Sequence, residues 1–154
     1  SAPLPAPDNR PEHPSFSFWL RLNPAVVPLT DGGVSMREKP DSLPAAVESP
    51  ALTIRTTNWD GMAAILVETT EKVDMGPALK GLPNDMCQVP HYGYMLSGAG
   101  HLKYADGSEE TTNAGELYAW PAPHTGWFEA GTRFVEFSPQ AEYEALLKHL
   151  QGGG

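Results

Sequence analysis

From residue 52 onward, apolar and β-branched residues occur in short runs separated by turn-forming residues. Runs of this length predict β-strands, because a helix needs a longer segment with a period near 3.6 residues. The runs read LTIRTT, MAAILVET, YGYMLSG, HLKYA, ELYAWP, GWFEA and RFVEFS. Seven or eight short strands joined by tight turns predict an all-β fold, either an antiparallel sandwich or a barrel.

The segments between the runs have the composition of hairpin turns. Asp106-Gly107 and Ala130-Gly131 are the clearest of them. Glycine accepts the positive φ that tight hairpin turns require, so both dipeptides predict antiparallel pairing of the flanking strands.

The last element predicted is a helix. Ser138 is a suitable N-cap, and Pro139 suits the first helical position. The apolar residues after it are spaced as one helical stripe. They are Tyr143, Leu146, Leu147 and Leu150. A stripe of this kind is explained by packing against the rest of the fold.

The first third of the chain has a different composition. Ten of the sixteen prolines lie within residues 1–50, and no apolar periodicity accompanies them. We therefore divide the chain into a Pro-rich, extended N-terminal arm, residues 1–50, and a β-barrel domain with its helix, residues 51–154. Within the arm, residues 16–22 read FSFWLRL. This apolar segment predicts a tether that docks on a sheet or on a second subunit, and we expect a homodimer.

Charge and composition exclude several classes of partner. The formal net charge is −9 and the ten basic residues are scattered, which argues against nucleic acid. No apolar run is long enough to span a bilayer, which argues against a membrane. The single cysteine cannot form an internal disulfide and favours a reducing compartment. We expect a soluble, cytoplasmic protein, although a secreted chain without its signal peptide would have the same features.

The candidate chemistry centres on the segment NDMCQVPHYGYMLSG, which contains Cys87 and His91. In a straight strand, residues four apart lie about 13 Å apart, which is too far for both to bind one ion. Pro90 changes this geometry, because proline cannot donate to a sheet ladder and restricts the residue before it. A bend near Val89 would direct the two side chains toward one point.

At these residues the chain resembles the cupin superfamily, whose first motif reads G-x5-H-x-H-x3,4-E-x6-G. Counting back from Gly98, His91 falls on the glutamate position, Cys87 on the second histidine and Asp85 on the first. The second motif reads G-x5-P-x-G-x2-H-x3-N. In GELYAWPAPHTGW its first glycine and its proline are present, and His124 arrives two residues early. The resemblance covers roughly residues 52–139 and is closest to small single-domain bacterial cupins.

The resemblance implies a jelly-roll barrel that holds a metal ion on side chains from both motifs. The candidate ligands are Cys87, His91 and His124, with Asp85 as a fourth candidate. A thiolate with two imidazoles favours zinc, followed by iron or copper. Three protein ligands would leave one position for water or substrate, as in catalytic zinc sites.

Other residues near the motifs are weaker candidates. Tyr94, Trp120 and Trp127 could line a substrate cavity, and packing explains them equally well. Glu136 interrupts an otherwise apolar strand, which places it on a solvated face or in the cavity as a general base. We take Glu136 and Asp85 as the candidate proton carriers.

Three functional hypotheses remain open from the sequence. The first is a metal-dependent cupin that binds or converts a small organic molecule, with isomerase, lyase, cyclase, hydrolase or dioxygenase chemistry. The second is a metal-free cupin that binds a ligand or serves a structural role, with Cys87 as buried core. The third is a cysteine nucleophile activated by His91, which needs a contact, an orienting partner and an oxyanion hole that the sequence does not display.

Overall fold

The computed structural model describes residues 37–152. Within this part of the chain, ten strands and two α-helices follow one another, with short 3-10 turns at Pro40–Ser42 and Pro83–Asp85. The strands are β1 Ala45–Glu48, β2 Leu52–Trp59, β3 Met62–Thr69, β4 Val73–Asp74, β5 His91–Ser97, β6 Ala99–Tyr104, β7 Glu109–Asn113, β8 Leu117–Trp120, β9 His124–Phe128 and β10 Arg133–Pro139. The helices are α1 Gly76–Leu79 and α2 Gln140–Leu150.

The strands form two antiparallel sheets. A six-stranded sheet has the order β1-β2-β3-β10-β5-β8, and a four-stranded sheet has the order β4-β9-β6-β7. Buried side chains from both sheets pack into one apolar core, which includes Ile54 and Phe134 from the larger sheet and Leu102 from the smaller one. The predicted all-β, antiparallel barrel with a C-terminal helix is confirmed.

Each of the seven predicted strand runs lies in a strand, within a residue or two at its ends. Gly107 and Gly131, in the two predicted hairpin turns, have φ values of 86° and 76°. The strands on either side of these turns start and stop where turn residues interrupt the apolar runs. Local sequence therefore accounts for most of the strand boundaries.

Three strands were not predicted. β1 lies in a stretch of turn-forming composition, and β4 has only two residues. β7 reads EETTN, and only Thr112 of it is buried. Its other side chains face solvent at the sheet edge, so no apolar alternation marks it. Backbone pairing with β6 holds β7 in place, and this information is not local to the segment.

The start of the C-terminal helix differs from the prediction. Ser138 is not the N-cap: it belongs to β10, and Pro139 occupies the N-cap position. β10 alternates, so Phe134, Glu136 and Ser138 all point to the buried side of the sheet. This alternation directs the Ser138 hydroxyl inward, away from the helix.

The rest of the helix prediction is confirmed. Tyr143 and Leu146 are buried, and Leu147 and Leu150 pack partly buried against the same core. None of the helices within residues 37–152 has the length and apolar character needed to cross a membrane. The division at residue 50 stays a prediction, and the segment at residues 16–22 lies outside the described residues.

Candidate metal centre

The two sequence motifs meet through a short piece of backbone pairing. The Cys87 N–H donates to the His124 carbonyl at 2.7 Å, and the His124 N–H donates to the Cys87 carbonyl at 3.2 Å. Cys87 therefore lies beside the first residue of β9. His91 begins β5 after the bend at Val89 and Pro90, so its ring can turn back toward the cysteine.

The three side chains form a buried cluster. Cys87, His91 and His124 each offer one ligand atom, and these atoms lie within 4.8 Å of one another. Cys87 Sγ is 3.5 Å from His91 Nε2. The two imidazole rings lie edge to face, with their centroids 5.3 Å apart. All three residues are at least 94% buried, since their exposed fractions are 4–6%.

Hydrogen bonds fix the orientation of both imidazoles. His124 Nδ1 lies 2.8 Å from the Pro121 carbonyl oxygen, which can only accept, so Nδ1 carries the proton. His91 Nδ1 lies 2.8 Å from Ser138 Oγ and 3.2 Å from Glu136 Oε1. In each ring Nε2 is then the nitrogen left to coordinate. A carboxylate or carbonyl behind the distal nitrogen is the usual support of a metal-binding histidine.

A further contact supports Glu136 from behind. The Tyr118 hydroxyl donates to Glu136 Oε2 at 3.2 Å, while Oε1 faces His91. Glu136 itself is 4% exposed. A buried carboxylate is stable only when it is hydrogen-bonded and paired, and these two contacts meet that condition.

In the absence of a metal ion, the contacts of Cys87 and His91 with their neighbours set the pKa values of both residues. Burial raises the pKa of the Cys87 thiol, but hydrogen bonds and charge from His124 and His91 outweigh it and lower the pKa to about 6. Burial lowers the pKa of His91, but the Glu136 carboxylate and Cys87 outweigh it and raise the pKa to about 10. The site therefore favours a thiolate, which is the form of cysteine that binds metal.

The donor set could hold a metal ion. In tetrahedral zinc sites, for comparison, ligand atoms about 2.0–2.3 Å from the ion lie about 3.3–3.8 Å from each other. The 3.5 Å between Cys87 Sγ and His91 Nε2 falls in this interval, and all three ligand atoms lie within 4.8 Å of one another. One sulfur and two nitrogens would supply three protein ligands, which is the number that catalytic zinc sites use.

A cavity of about 70 Å³ adjoins the cluster. Its polar side chains include Cys87, His91, His124, Glu136 and Thr125. Most of the remaining wall is aliphatic or aromatic, including Trp120 from β8. Helix α2 closes one side with Tyr143, whose ring lies edge to face with His91 at 6.4 Å between centroids.

Comparison with solved structures identifies the fold. An RmlC-like cupin from Shewanella frigidimarina superposes with a TM-score of 0.52 at 11% identity, over 73% of this chain and 96% of that one. The chain has a cupin fold. The polyketide cyclase RemF from Streptomyces resistomycificus gives a TM-score of 0.48 at 19% identity, over 70% of this chain and 80% of that one. KdgF from a Halomonas species gives 0.46 at 16% identity, over 64% and 88%.

Sequence comparison alone does not find this relationship. No protein-family model matches the chain, and no curated protein matches it either.

The structure brings some predicted residues to the cupin cavity and leaves others outside it. Cys87, His91, His124, Glu136 and Trp120 line the cavity. Asp85 is exposed, and its carboxylate accepts from the Gly81 N–H at 2.8 Å, so it does not join the cluster. It lies in a 3-10 turn that directs its side chain back onto its own loop.

Two of the predicted aromatic residues face away from the cavity. Tyr94 is 38% exposed on the outer side of β5, because inward and outward positions alternate along the strand. Trp127 stacks on His101 at 3.7 Å between ring centroids, with Lys72 Nζ 3.9 Å from its centroid. Neither lines the cavity beside Cys87.

Sequence reasoning missed three residues around the centre: Tyr118, Ser138 and Tyr143. Ser138 and Glu136 are two residues apart in β10, so the alternation of that strand was a usable signal for both. Tyr118 precedes Trp120 by the same spacing in β8. Tyr143 carried no such signal, because its place in the helical stripe also fits plain core packing.

Proposed function

We propose that this cupin binds one divalent metal ion, zinc in preference to iron or copper, and presents it to a small organic molecule in the barrel cavity. Three converging ligand atoms, with both imidazoles already oriented by their Nδ1 atoms, are the observation that carries the proposal. A preformed arrangement of this kind is difficult to explain as packing alone. Without an ion to bind, the burial of a cysteine and two histidines beside one another would cost the desolvation of several polar groups and gain nothing in return.

The roles of the chain's residues follow from their positions. Cys87, His91 and His124 hold the ion. Glu136 accepts a hydrogen bond from the His91 Nδ1–H. This contact orients the ring and makes Nε2, the nitrogen that would bind the metal, a stronger ligand. The bound ion would supply Lewis-acid activation of a substrate oxygen or of water.

Glu136 is also the residue placed to accept a proton from a substrate. Its carboxylate lines the cavity and contacts both Tyr118 and His91. A substrate held at the open position could pass a proton to this carboxylate if it approached within hydrogen-bond distance. Isomerase, lyase, cyclase and hydrolase reactions all need such a transfer, and they are the classes we propose for a zinc form.

A cysteine nucleophile is the second candidate, and one observation favours it. Cys87, His91 and Glu136 stand in the order of a nucleophile, a base and an orienting acid, with separations of 3.5 and 3.2 Å. A nucleophile needs one base, however, and here a second imidazole, His124, also approaches the thiol. Two imidazoles on one sulfur make a ligand set, so we place metal binding first.

Metal analysis tests the proposal. Purified wild-type protein, incubated with zinc and then desalted, is expected to retain about one equivalent. Cys87→Ala and His124→Ala are expected to lose it, because two protein ligands bind zinc far more weakly than three. His101→Ala is the matched control, since His101 lies outside the cluster against Trp127. Wild-type protein that retains neither zinc nor iron would refute the proposal.

The same preparations separate the metal centre from the nucleophile. Zinc bound to Cys87 would protect the thiol from alkylation by iodoacetamide, and removal of zinc by a chelator would restore the reaction. A thiol that reacts equally fast with and without zinc would favour the nucleophile. A metal-loaded protein that binds ligands without converting them would assign the chain to the non-enzymatic class.

We also propose a homodimer, in keeping with the sequence analysis. Six large apolar residues in the described part of the chain are 38–83% exposed, and all belong to strands of the six-stranded sheet. They are Met62, Tyr92, Tyr94, Leu96, Leu117 and Phe137. We call this surface the apolar face. Exposed apolar patches of this kind mark protein interaction sites.

A further inference from the structure

We infer that the ligand of this cavity is a compact, uncharged molecule with an apolar body and a single oxygen or nitrogen atom that reaches the metal. The inference rests on the proposed metal centre and names the class of molecule that the centre accepts. The size of the cavity, the apolar residues of its wall and the charged residues of its wall each support it separately.

The size of the cavity limits the ligand to a few atoms. The cavity volume is about 70 Å³, against a minimum of roughly 10–15 Å³ for a cavity that holds one water molecule. A nucleotide or a disaccharide would not fit inside it in the conformation described. The volume suits a small molecule of a few non-hydrogen atoms.

The wall indicates that most of the ligand is apolar. Away from the metal cluster, the cavity is formed mainly by aliphatic and aromatic side chains such as Ile54, Leu79, Leu102 and Phe128, with Thr125 as a polar exception. Trp120 offers no free donor there, because its Nε1–H donates to Thr112 Oγ1 at 3.0 Å. A polar group that faces the aliphatic part of the wall would lose its hydration without gaining a partner.

The charged side chains of the wall disfavour a charged ligand. Within residues 37–152, no lysine or arginine lines the cavity, and the one carboxyl group that does is Glu136. A carboxylate or phosphate on the ligand would therefore find no cationic side chain to pair with inside a largely apolar cavity, which is unfavourable. An ammonium group has no lone pair to offer a metal ion.

Two isosteric probes test the inference on the zinc-loaded wild-type protein. Isobutyramide and isobutyrate have the same shape and both offer an oxygen to the metal, but only isobutyrate is charged. Binding is followed by calorimetry and by tryptophan fluorescence, since Trp120 lines the cavity. We expect isobutyramide to bind at least tenfold more tightly. Acetamide, which lacks two methylene-sized groups, should bind about tenfold more weakly than isobutyramide.

A variant of the wall provides the control. Glu136→Gln keeps the shape of the side chain and removes the carboxyl group that faces the ligand, so at saturating zinc the preference for isobutyramide should fall at least tenfold or reverse. Tyr118→Phe removes a hydrogen bond from the same carboxylate without changing the charge, and should keep the wild-type preference.

The possible results are distinguishable. Wild-type protein that binds no zinc overturns both the metal centre and the ligand class. Protein that binds zinc but takes isobutyrate as tightly as isobutyramide overturns the ligand class alone. Zinc binding with neither probe bound within the solubility range of the probes also overturns the ligand class.

Discussion

At His91, one imidazole connects the sheet to the candidate metal position. Nε2 faces Cys87 Sγ at 3.5 Å, and Nδ1 faces Glu136 and Ser138. The ring is thus held from both ends before any ion binds. Because a metal site depends on fixed donor positions, we expect the groups behind the ring to influence metal affinity as the ligands do.

Replacement of Glu136 tests this expectation. In Glu136→Gln the carboxylate that accepts the hydrogen bond from His91 Nδ1–H becomes a neutral amide. His91 Nε2 is then a weaker metal ligand, and the ring is held less firmly in place. We expect zinc affinity to fall about 10–100-fold, measured by competition with a chelating dye. Tyr118→Phe is the matched control and should reduce zinc affinity less, because the Glu136 carboxylate still contacts His91. Unchanged affinity in Glu136→Gln would contradict the role assigned to this residue.

Gly93 permits the contact between Tyr118 and Glu136. A Cβ at this position would lie 2.5 Å from Tyr118 Oη and closer still to the Val135 carbonyl oxygen. We expect Gly93→Ala to lower the free energy of unfolding by about 1–3 kcal/mol, measured by urea denaturation. Adding Tyr118→Phe should not restore stability, because the backbone oxygen of Val135 cannot move aside.

Gly100→Ala is the comparison for Gly93→Ala. Its added Cβ would meet the Phe128 ring at 3.2 Å, and a side chain can shift by a few tenths of an ångström. A smaller loss of stability is expected. If the two alanine variants were equally stable, the crowding assigned to Gly93 would be incorrect.

Among the elements, β10 shows most clearly what the sequence could predict. RFVEFS marks a strand, and strict alternation places Phe134, Glu136 and Ser138 on one face. The position of Glu136 inside the barrel was therefore readable, but its contact with His91 was not. That contact depends on β5 lying next to β10, a pairing between segments about forty residues apart. β7 was missed for a different reason: it pairs with the adjacent strand β6, but its side chains mostly face solvent, so no apolar alternation marks it.

The predicted metal ligands show the same limit of prediction from sequence. The turn at Pro90 and the count from Gly98 placed Cys87 and His91 near each other, and the second motif added His124. Asp85 had an equally good count, yet its loop directs it to the Gly81 N–H. Motif spacing identifies which loops approach the centre, whereas the direction of each side chain depends on local backbone geometry.

Helix α2 closes one side of the cavity, and its contribution can be measured. Leu146 is 8% exposed and lines the cavity, whereas Leu147 is only partly buried. We expect Leu146→Ala to lower the free energy of unfolding by about 2–5 kcal/mol in urea denaturation, because it leaves a void in the core. Leu147→Ala should lower the free energy of unfolding by a clearly smaller amount. Equal losses would mean that the helix does not pack on the barrel in the orientation described.

On the scale of the whole molecule, polarity is distributed unusually over the six-stranded sheet. Its inner side carries the buried ionisable groups His91 and Glu136, while its outer side carries the apolar face. On the neighbouring strands β10, β5 and β8, the outward positions from Val135 to Phe137, from Tyr92 to Leu96 and from Leu117 to Ala119 are uncharged. Two copies of a chain with a net charge of −9 repel each other least where uncharged surfaces of this kind meet.

The apolar face therefore provides the last prediction, that a second copy of the chain covers it. Leu117 is 83% exposed at the edge strand β8 and opposes Tyr94 on β5. We expect light scattering to give a dimer for the full chain and a monomer for Leu117→Lys, because a lysine there would leave a charge buried in the interface. Ala130→Lys adds the same charge in an exposed turn outside the apolar face and should stay dimeric. Circular dichroism verifies that both variants fold. A wild-type monomer at high concentration, or a dimer that survives Leu117→Lys, would show that this face is not where two copies meet.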